Sequence, residues 1–204
     1  MKGNLSDYVY NAITEEIVSG FITQDSILNE STLIDKLKVS KTPIREALVR
    51  LCNEDILISI PRFGYRLKVV SHDYFKGIIR FRETLEPYYL NLYFDSIKPE
   101  HTAALQRTIS MIDRDKVNTP SEYWILTSQF HLQLALFYRD EFFYETLKVI
   151  LHKQLIAFSK LYWNNWSSVV DSKISDNHAN ILDAIVSGDK QGAVKAMKSD
   201  ILSA

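Results

Sequence analysis

The chain has 204 residues, 46% hydrophobic and 24% charged, which is ordinary for a globular protein and enough for one large domain or two small ones. A formal net charge of −1 announces no polyanion partner, and a single cysteine, Cys52, excludes an internal disulfide framework. No apolar run reaches the length of a bilayer span, and the opening stretch MKGNLSDYVYNAITEE carries acids and no apolar core; no membrane helix and no secretory signal are expected, and the location expected is a reducing cytoplasm.

In chain order, residues 5–19 place Leu5, Val9, Ala12, Ile13 and Ile17 on one helical face, with Gly20 just past the end as a stop. Residues 30–37 predict a short second helix with Leu33, Ile34 and Leu37 inward. The turn KVSK follows, and then a third helix whose apolar stripe is Ile44, Ala47, Leu48 and Leu51. Its N-cap is Thr42, with Pro43 at the first helical position, or else Ser40. Cys52 falls near the apolar face and reads as a small core residue, with a reactive thiol as the alternative. ILISI (56–60) and GYRLKVV (64–70) alternate as two strands around the turn PRFG. Helix, helix, turn, helix, strand, turn, strand is the order of a winged helix-turn-helix, over residues 1–70.

Charge is distributed unevenly within that segment. Residues 36–50 carry Lys36, Lys38, Lys41, Arg45 and Arg50 against one acid, Glu46, and residues 56–70 carry Arg62, Arg66 and Lys68 against none. Cations in the first turns of a helix run against its macrodipole. Either they stand in water, or they meet an anion. The stripe opposite the apolar one carries Thr42, Arg45, Glu46 and Val49, with Arg50 at its margin. In a helix-turn-helix that surface enters the major groove of DNA, and basic wing residues such as Arg62 and Arg66 reach the backbone or an adjacent minor groove.

Past a polar boundary at SHDY (71–74) the composition shifts. Of 24 Phe, Trp and Tyr residues, five fall in residues 1–70 and 19 in 74–166. The apolar periodicity predicts helices over about 73–94, 99–113, 120–139, 141–163, 173–188 and 190–203, an all-helical bundle over 71–204. Arg82 lies among Ile78, Ile79, Phe81 and Leu85, and a buried arginine needs an anion. Glu86, one turn on, supplies that pairing, or Arg82 clamps the carboxylate of an effector. Tyr88, Tyr89, Tyr123, Trp124, Phe130, Trp163 and Trp166 are candidates for pocket lining or core. His72, His101 and His152 read as surface or satisfied packing.

VSKTPIREALVRL (39–51) followed by PRFGYRL (61–67) resembles the DNA-binding domain of GntR-family transcriptional regulators, over about residues 8–68. The resemblance departs at Gln24-Asp25, where the family usually has Pro-Gly, at Asp55-Ile56, where a glycine is common, and at Ser31, where relatives often place a DNA-contacting arginine. It implies DNA contacts from Ser40, Lys41, Thr42 and Arg45, and from the wing around Phe63 and Gly64, beside the Arg62 that the charge pattern already singles out. RFRETLEPYYLNLY, FHLQLALFYRDEFFYETL and HANILDAIVSGDKQGAVKAMKSDI resemble the FCD effector domain of the FadR branch, in its shorter VanR-like form. Such domains often hold a divalent metal with Asp and His at i and i+4 and two further His about 22 residues apart. In this chain those positions carry Thr127, His131, His178 and Asp200. Two histidines and a carboxylate suffice for Zn²⁺, Ni²⁺, Mn²⁺ or Fe²⁺. Without a metal, Thr127 and His131 would hold an effector directly, together with Arg82.

The resulting expectation is a mainly α protein: a dimeric, ligand-responsive repressor that binds a palindromic DNA operator and senses a small carboxylate through Arg82, Thr127 and His131, with His131, His178 and Asp200 as metal ligands. Two alternatives stand beside it. One is a DNA-binding protein with a vestigial, non-sensing effector domain; the other is a metal-dependent enzyme using the same 2-His-1-carboxylate set.

Overall fold

The computed structural model describes residues 4–112, 120–162 and 174–203. It contains α1 (Leu5–Val18), α2 (Glu30–Leu37), α3 (Lys41–Asn53), β1 (Leu57–Ile60), β2 (Gly64–Leu67), α4 (His72–Tyr93), a 3₁₀ turn (Phe94–Ser96), α5 (Pro99–Met111), α6 (Pro120–Phe137), α7 (Glu141–Tyr162), α8 (Ile174–Val186) and α9 (Lys190–Leu202). The helix boundaries that fall within the described residues agree with the periodicity to within one or two residues; the expected ends at 113, 163 and 173 lie outside them. Two compact units emerge: residues 1–71 together with 153–161, and residues 72–152 together with 162–204.

In the first unit α1 and α2 pack on α3, and α3 packs on β1. Val9, Ile13, Ile17, Leu33, Ile44, Leu48 and Leu51 close the core. Leu5, expected on the inward face, is 56% exposed, because the first residue of a helix has no preceding turn to pack beside it. Arg50 stacks its guanidinium 3.8 Å over Tyr10 and bonds Glu54 and Asp7, each at 3.1 Å, so it ties α3 to α1. Cys52 is half-buried, and burial raises its thiol pKa, which fits the small core residue and not a reactive thiolate.

β1 and β2 pair antiparallel from Leu57↔Leu67 to Ile60↔Gly64. β2 stops at Leu67 and does not continue to Val70 as the alternation suggested. The last ladder bond is Lys68 N–H to Ile56 O, and Asp55 then turns the partner away with a φ of 62°. Leu28 adds a third, single-residue strand, exchanging two hydrogen bonds with Tyr65 at 2.8 and 2.9 Å. Gly64 is what admits this close approach. Its φ is 124°, and a Cβ there would collide with the carbonyl oxygen of Leu28. Gly64→Ala is expected to lose about 1–3 kcal/mol of stability by urea denaturation, from backbone strain plus the lost Leu28 pairing. In the same unit, Lys153 faces Asp55 at 3.9 Å, and the Lys160 ammonium donates to the Lys68 carbonyl at 3.3 Å.

The second unit is a helical bundle in which α8 packs against α5, α6 and α9, and α9 packs against α4. Leu90, Leu105, Phe130, Leu134, Leu147, Ile181, Met197 and Ile201 are among its buried residues. Local chemistry sets the starts of its helices. Asp140 accepts from Phe143 N–H ahead of α7, and Asp189 accepts from Gly192 N–H ahead of α9. His101 accepts from Lys98 N–H at the start of α5 and stacks on Phe137, while His72 is exposed. No helix among the described residues is long and apolar enough to cross a membrane.

Candidate DNA-binding surface and buried histidine centre

α3 begins at Lys41 with Ser40 as N-cap, though the Ser40 side chain makes no capping bond. Thr42 and Pro43 therefore lie inside the first turn, where proline's missing N–H has no intrahelical partner to lose. Thr42, Arg45, Glu46 and Val49 face solvent, as the stripe predicted. The cations of that turn are not left to water alone. Glu30, the first residue of α2, accepts from Arg45 Nε at 2.9 and 3.0 Å and lies 3.4 Å from Lys41 Nζ. The Arg45 hydrogen bond holds the Glu30 carboxyl below its usual pKa. Sequence reasoning missed Glu30, whose only local signal is an acid at a helix start. Both cations keep 58% of their side-chain surface exposed. At the wing tip Arg62 holds a φ of 69°, and Phe63 is 70% exposed.

The second cluster is buried and draws on four helices. Glu86 of α4 receives Arg82 Nε on one oxygen at 2.5 Å, and His131 Nδ1 of α6 meets its other oxygen at 2.7 Å. His131 Nε2 lies 3.1 Å from Asp200 Oδ2 of α9 and 3.3 Å from His178 Nε2 of α8. His178 Nε2 also lies 3.4 Å from Asp200 Oδ1. Arg82, Glu86, His131, His178 and Asp200 are all buried. Phe130 stacks on the His178 ring with centroids 4.3 Å apart and an interplanar angle of 15°. Thr127, one turn before His131, donates to the Trp124 carbonyl at 3.1 Å.

The electrostatics follow from this packing. Burial alone would raise Glu86, but Arg82 and His131 outweigh it and hold the carboxyl down to about 2. Asp200 is likewise buried, yet His178 and His131 keep it below the usual carboxylate range. Burial lowers His178, whereas the Glu86 carboxylate overcomes burial and raises His131.

The donor set fits a divalent cation. One atom each from His131, His178 and Asp200 lie within 4.8 Å of one another. Two ring nitrogens aimed at each other at 3.3 Å beside a carboxylate form a convergent set. Asp200 Oδ1 and His178 Nδ1 make no hydrogen bond among the described residues, although both are buried. A carboxylate behind His131 Nδ1 is the usual orienting partner of a metal-bound imidazole. Sequence reasoning named Glu86 only as a partner for Arg82. Of the aromatic candidates, Phe130 alone contacts these histidines among the described ring contacts, and Tyr89 instead stacks on Phe143 at 3.7 Å. Tyr88 is exposed and Trp124 buried; the side chain of Tyr123, and Trp163 and Trp166, lie outside the described residues.

Residues 5–67 match the model of the gntR family of bacterial regulatory proteins, and residues 77–202 match that of the FCD domain. The chain belongs to the GntR family and carries an FCD domain. It is 28% identical to the Nta operon transcriptional regulator of Aminobacter aminovorans, over 69% of this chain and 65% of that protein. It is 25% identical to the gluconate operon transcriptional repressor of Bacillus subtilis (strain 168), over 89% of this chain and 75% of that protein. The match thus spans just under two thirds of the Aminobacter regulator's own length. The Escherichia coli McbR/YncC structure superposes with a TM-score of 0.80 at 20% identity, covering 98% of this chain and 94% of that one. A GntR transcriptional regulator from Rhodococcus sp. RHA1 superposes at 0.76 with 16% identity, covering 97% and 93%. GntR–FCD relatives are transcriptional regulators and not enzymes, so the enzymatic reading of the histidine–aspartate set is set aside.

Proposed function

We propose that this GntR–FCD protein is a cytoplasmic repressor that binds a palindromic operator as a homodimer and releases it on binding a small carboxylate at a metal held by His131, His178 and Asp200. The observation that carries the reading is the buried convergence of those three side chains, with Glu86 bonded behind His131. A bound Zn²⁺, Ni²⁺ or Mn²⁺ would supply a Lewis-acidic cation for the effector's carboxylate.

The chain's own residues do the rest. Glu86 fixes the His131 ring so that Nε2 faces Asp200 and His178, and Arg82 neutralises and orients Glu86. Arg82 therefore acts through Glu86 on the centre. Thr127, where relatives often carry an acid, leaves the Asp200 carboxylate as the only acid among the three proposed ligands. On the DNA side, Ser40, Lys41, Thr42 and Arg45 meet the major groove, and Arg62, Phe63 and Gly64 meet the adjacent backbone and minor groove. An effector changes DNA affinity only by as much as it prefers one arrangement of the dimer over the other.

The test is fluorescence anisotropy with a duplex selected by the full-length protein from a random pool. Binding is expected to weaken steeply with salt. A panel of mono-, di- and tricarboxylates, each with added Zn²⁺, is expected to contain one that releases the duplex from wild type but not from His178→Ala. Salt-dependent binding that no carboxylate perturbs would favour the vestigial effector domain, and no selected duplex would refute the DNA-binding reading.

A further inference from the structure

We propose that Phe63 is an apolar wedge that enters the minor groove of the operator and partly unstacks one base step in each half-site. The inference rests on the DNA-binding reading above and goes beyond it. A ring that is 70% exposed on a monomeric surface has lost the hydrophobic stabilisation of burial. Phe21 and Phe142 are more exposed, but no cation adjoins either in the sequence; Asp25 follows Phe21, and Asp140 and Glu141 precede Phe142. Phe63 stands between Arg62 and Arg66, both exposed, in a stretch from 56 to 70 that holds no acid. That pairing of an aromatic with flanking cations matches a groove with apolar base faces within and phosphates along its rims.

A tight turn sets the backbone that carries the ring. Phe63 N–H closes a turn on the Ile60 carbonyl at 3.0 Å, with Pro61 second and Arg62 third. Arg62 takes a left-handed φ of 69° at a position that favours glycine or asparagine. Non-glycine residues keep such conformations where the surrounding structure enforces them, and functional tips are a common place for that strain. Behind the tip, Gly64 lies against the Leu28 carbonyl, and Tyr65 exchanges two bonds with Leu28. The backbone that carries the ring is therefore set before DNA arrives, and little backbone ordering entropy is lost on insertion.

The experiment uses the full-length protein and the duplex it selects from a random pool. 2-Aminopurine is walked through the base steps flanking each half-site, and end-labelled duplex reports bending by energy transfer. Wild type is expected to raise 2-aminopurine fluorescence at one step per half-site and to shorten the end-to-end distance. Phe63→Ala is expected to abolish both signals and to weaken binding about tenfold, the stacking gain being offset only in part by the cost of unstacking. Phe63→Trp is expected to keep both. Because the side chain is exposed, Phe63→Ala should melt as wild type does. No fluorescence rise at any step in the wild-type complex would overturn the wedge, as would a Phe63→Ala protein that binds and bends the duplex like wild type. Failure to select any duplex would instead remove the DNA-binding reading on which the wedge depends.

Discussion

Glu86→Ala is expected to lower the stability of the FCD unit by about 3–5 kcal/mol, the usual result of removing one partner of a buried ion pair. Arg82 is 2% exposed and Glu86 3%, so little water reaches the guanidinium once the carboxylate is gone. His131 Nδ1 loses its acceptor in the same step. Glu86→Gln keeps the volume but removes the charge that offsets Arg82, so it is expected to fall between wild type and alanine. The double variant Arg82→Met, Glu86→Leu removes both charges and replaces them with apolar volume. It is expected to recover most of the loss, because a buried pair is seldom better than a well-packed apolar isostere. It is not expected to recover metal affinity, which drops about 10–100-fold when the group orienting a ligand histidine is lost. Denaturant unfolding and metal titration of the three proteins separate the two roles. A Glu86→Ala loss below about 1 kcal/mol would mean that the pair is solvated in solution.

Arg45→Ala is expected to lose about 1–3 kcal/mol, roughly 5–150-fold, on the selected duplex and much less on random DNA, if the guanidinium reads a guanine edge. Equal losses on both would make Arg45 a phosphate contact. In the free protein Arg45 is held by Glu30, and the size of that tether decides whether it obstructs binding. An ion pair this exposed contributes about 0–1 kcal/mol, less than a bidentate base contact, so a guanine edge is expected to displace it. Glu30 also lowers the positive charge that Lys41 and Arg45 present to DNA in general. Removing it should raise non-specific affinity more than specific affinity, measured as the ratio of the two at one salt concentration.

How much of this was legible in the sequence depends on how local the cause is. The faces of α3 were readable residue by residue: Ile44, Ala47, Leu48 and Leu51 are fully buried, and the Thr42, Arg45, Glu46 and Val49 stripe is exposed, because a 3.6-residue period alone sorts them. The departure at Gln24-Asp25 does not remove a turn there, since Ser26 N–H closes one on the Thr23 carbonyl. Leu28 was not legible, since a strand of one residue has no alternation to detect. The Glu86–His131 bond joins residues 45 apart on different helices, which no local spacing encodes. The set His131, His178 and Asp200 came from resemblance to the FCD pattern; periodicity placed each on a helix but did not bring them together. The stretch HKQLIAFSKLY in α7 is apolar enough to predict a helix, yet nothing in it says that residues 153–161 join the N-terminal unit.

On the reading proposed above, the buried histidine–aspartate cluster is the metal centre of a dimeric regulator. Native mass spectrometry of the purified full-length protein, with elemental analysis of the same sample, tests it most directly. A dimer carrying about one Zn²⁺, Ni²⁺ or Mn²⁺ per subunit is expected, with the metal lost in His131→Ala while the dimer persists. A metal-free dimer that takes up none of the three ions when they are added would contradict it.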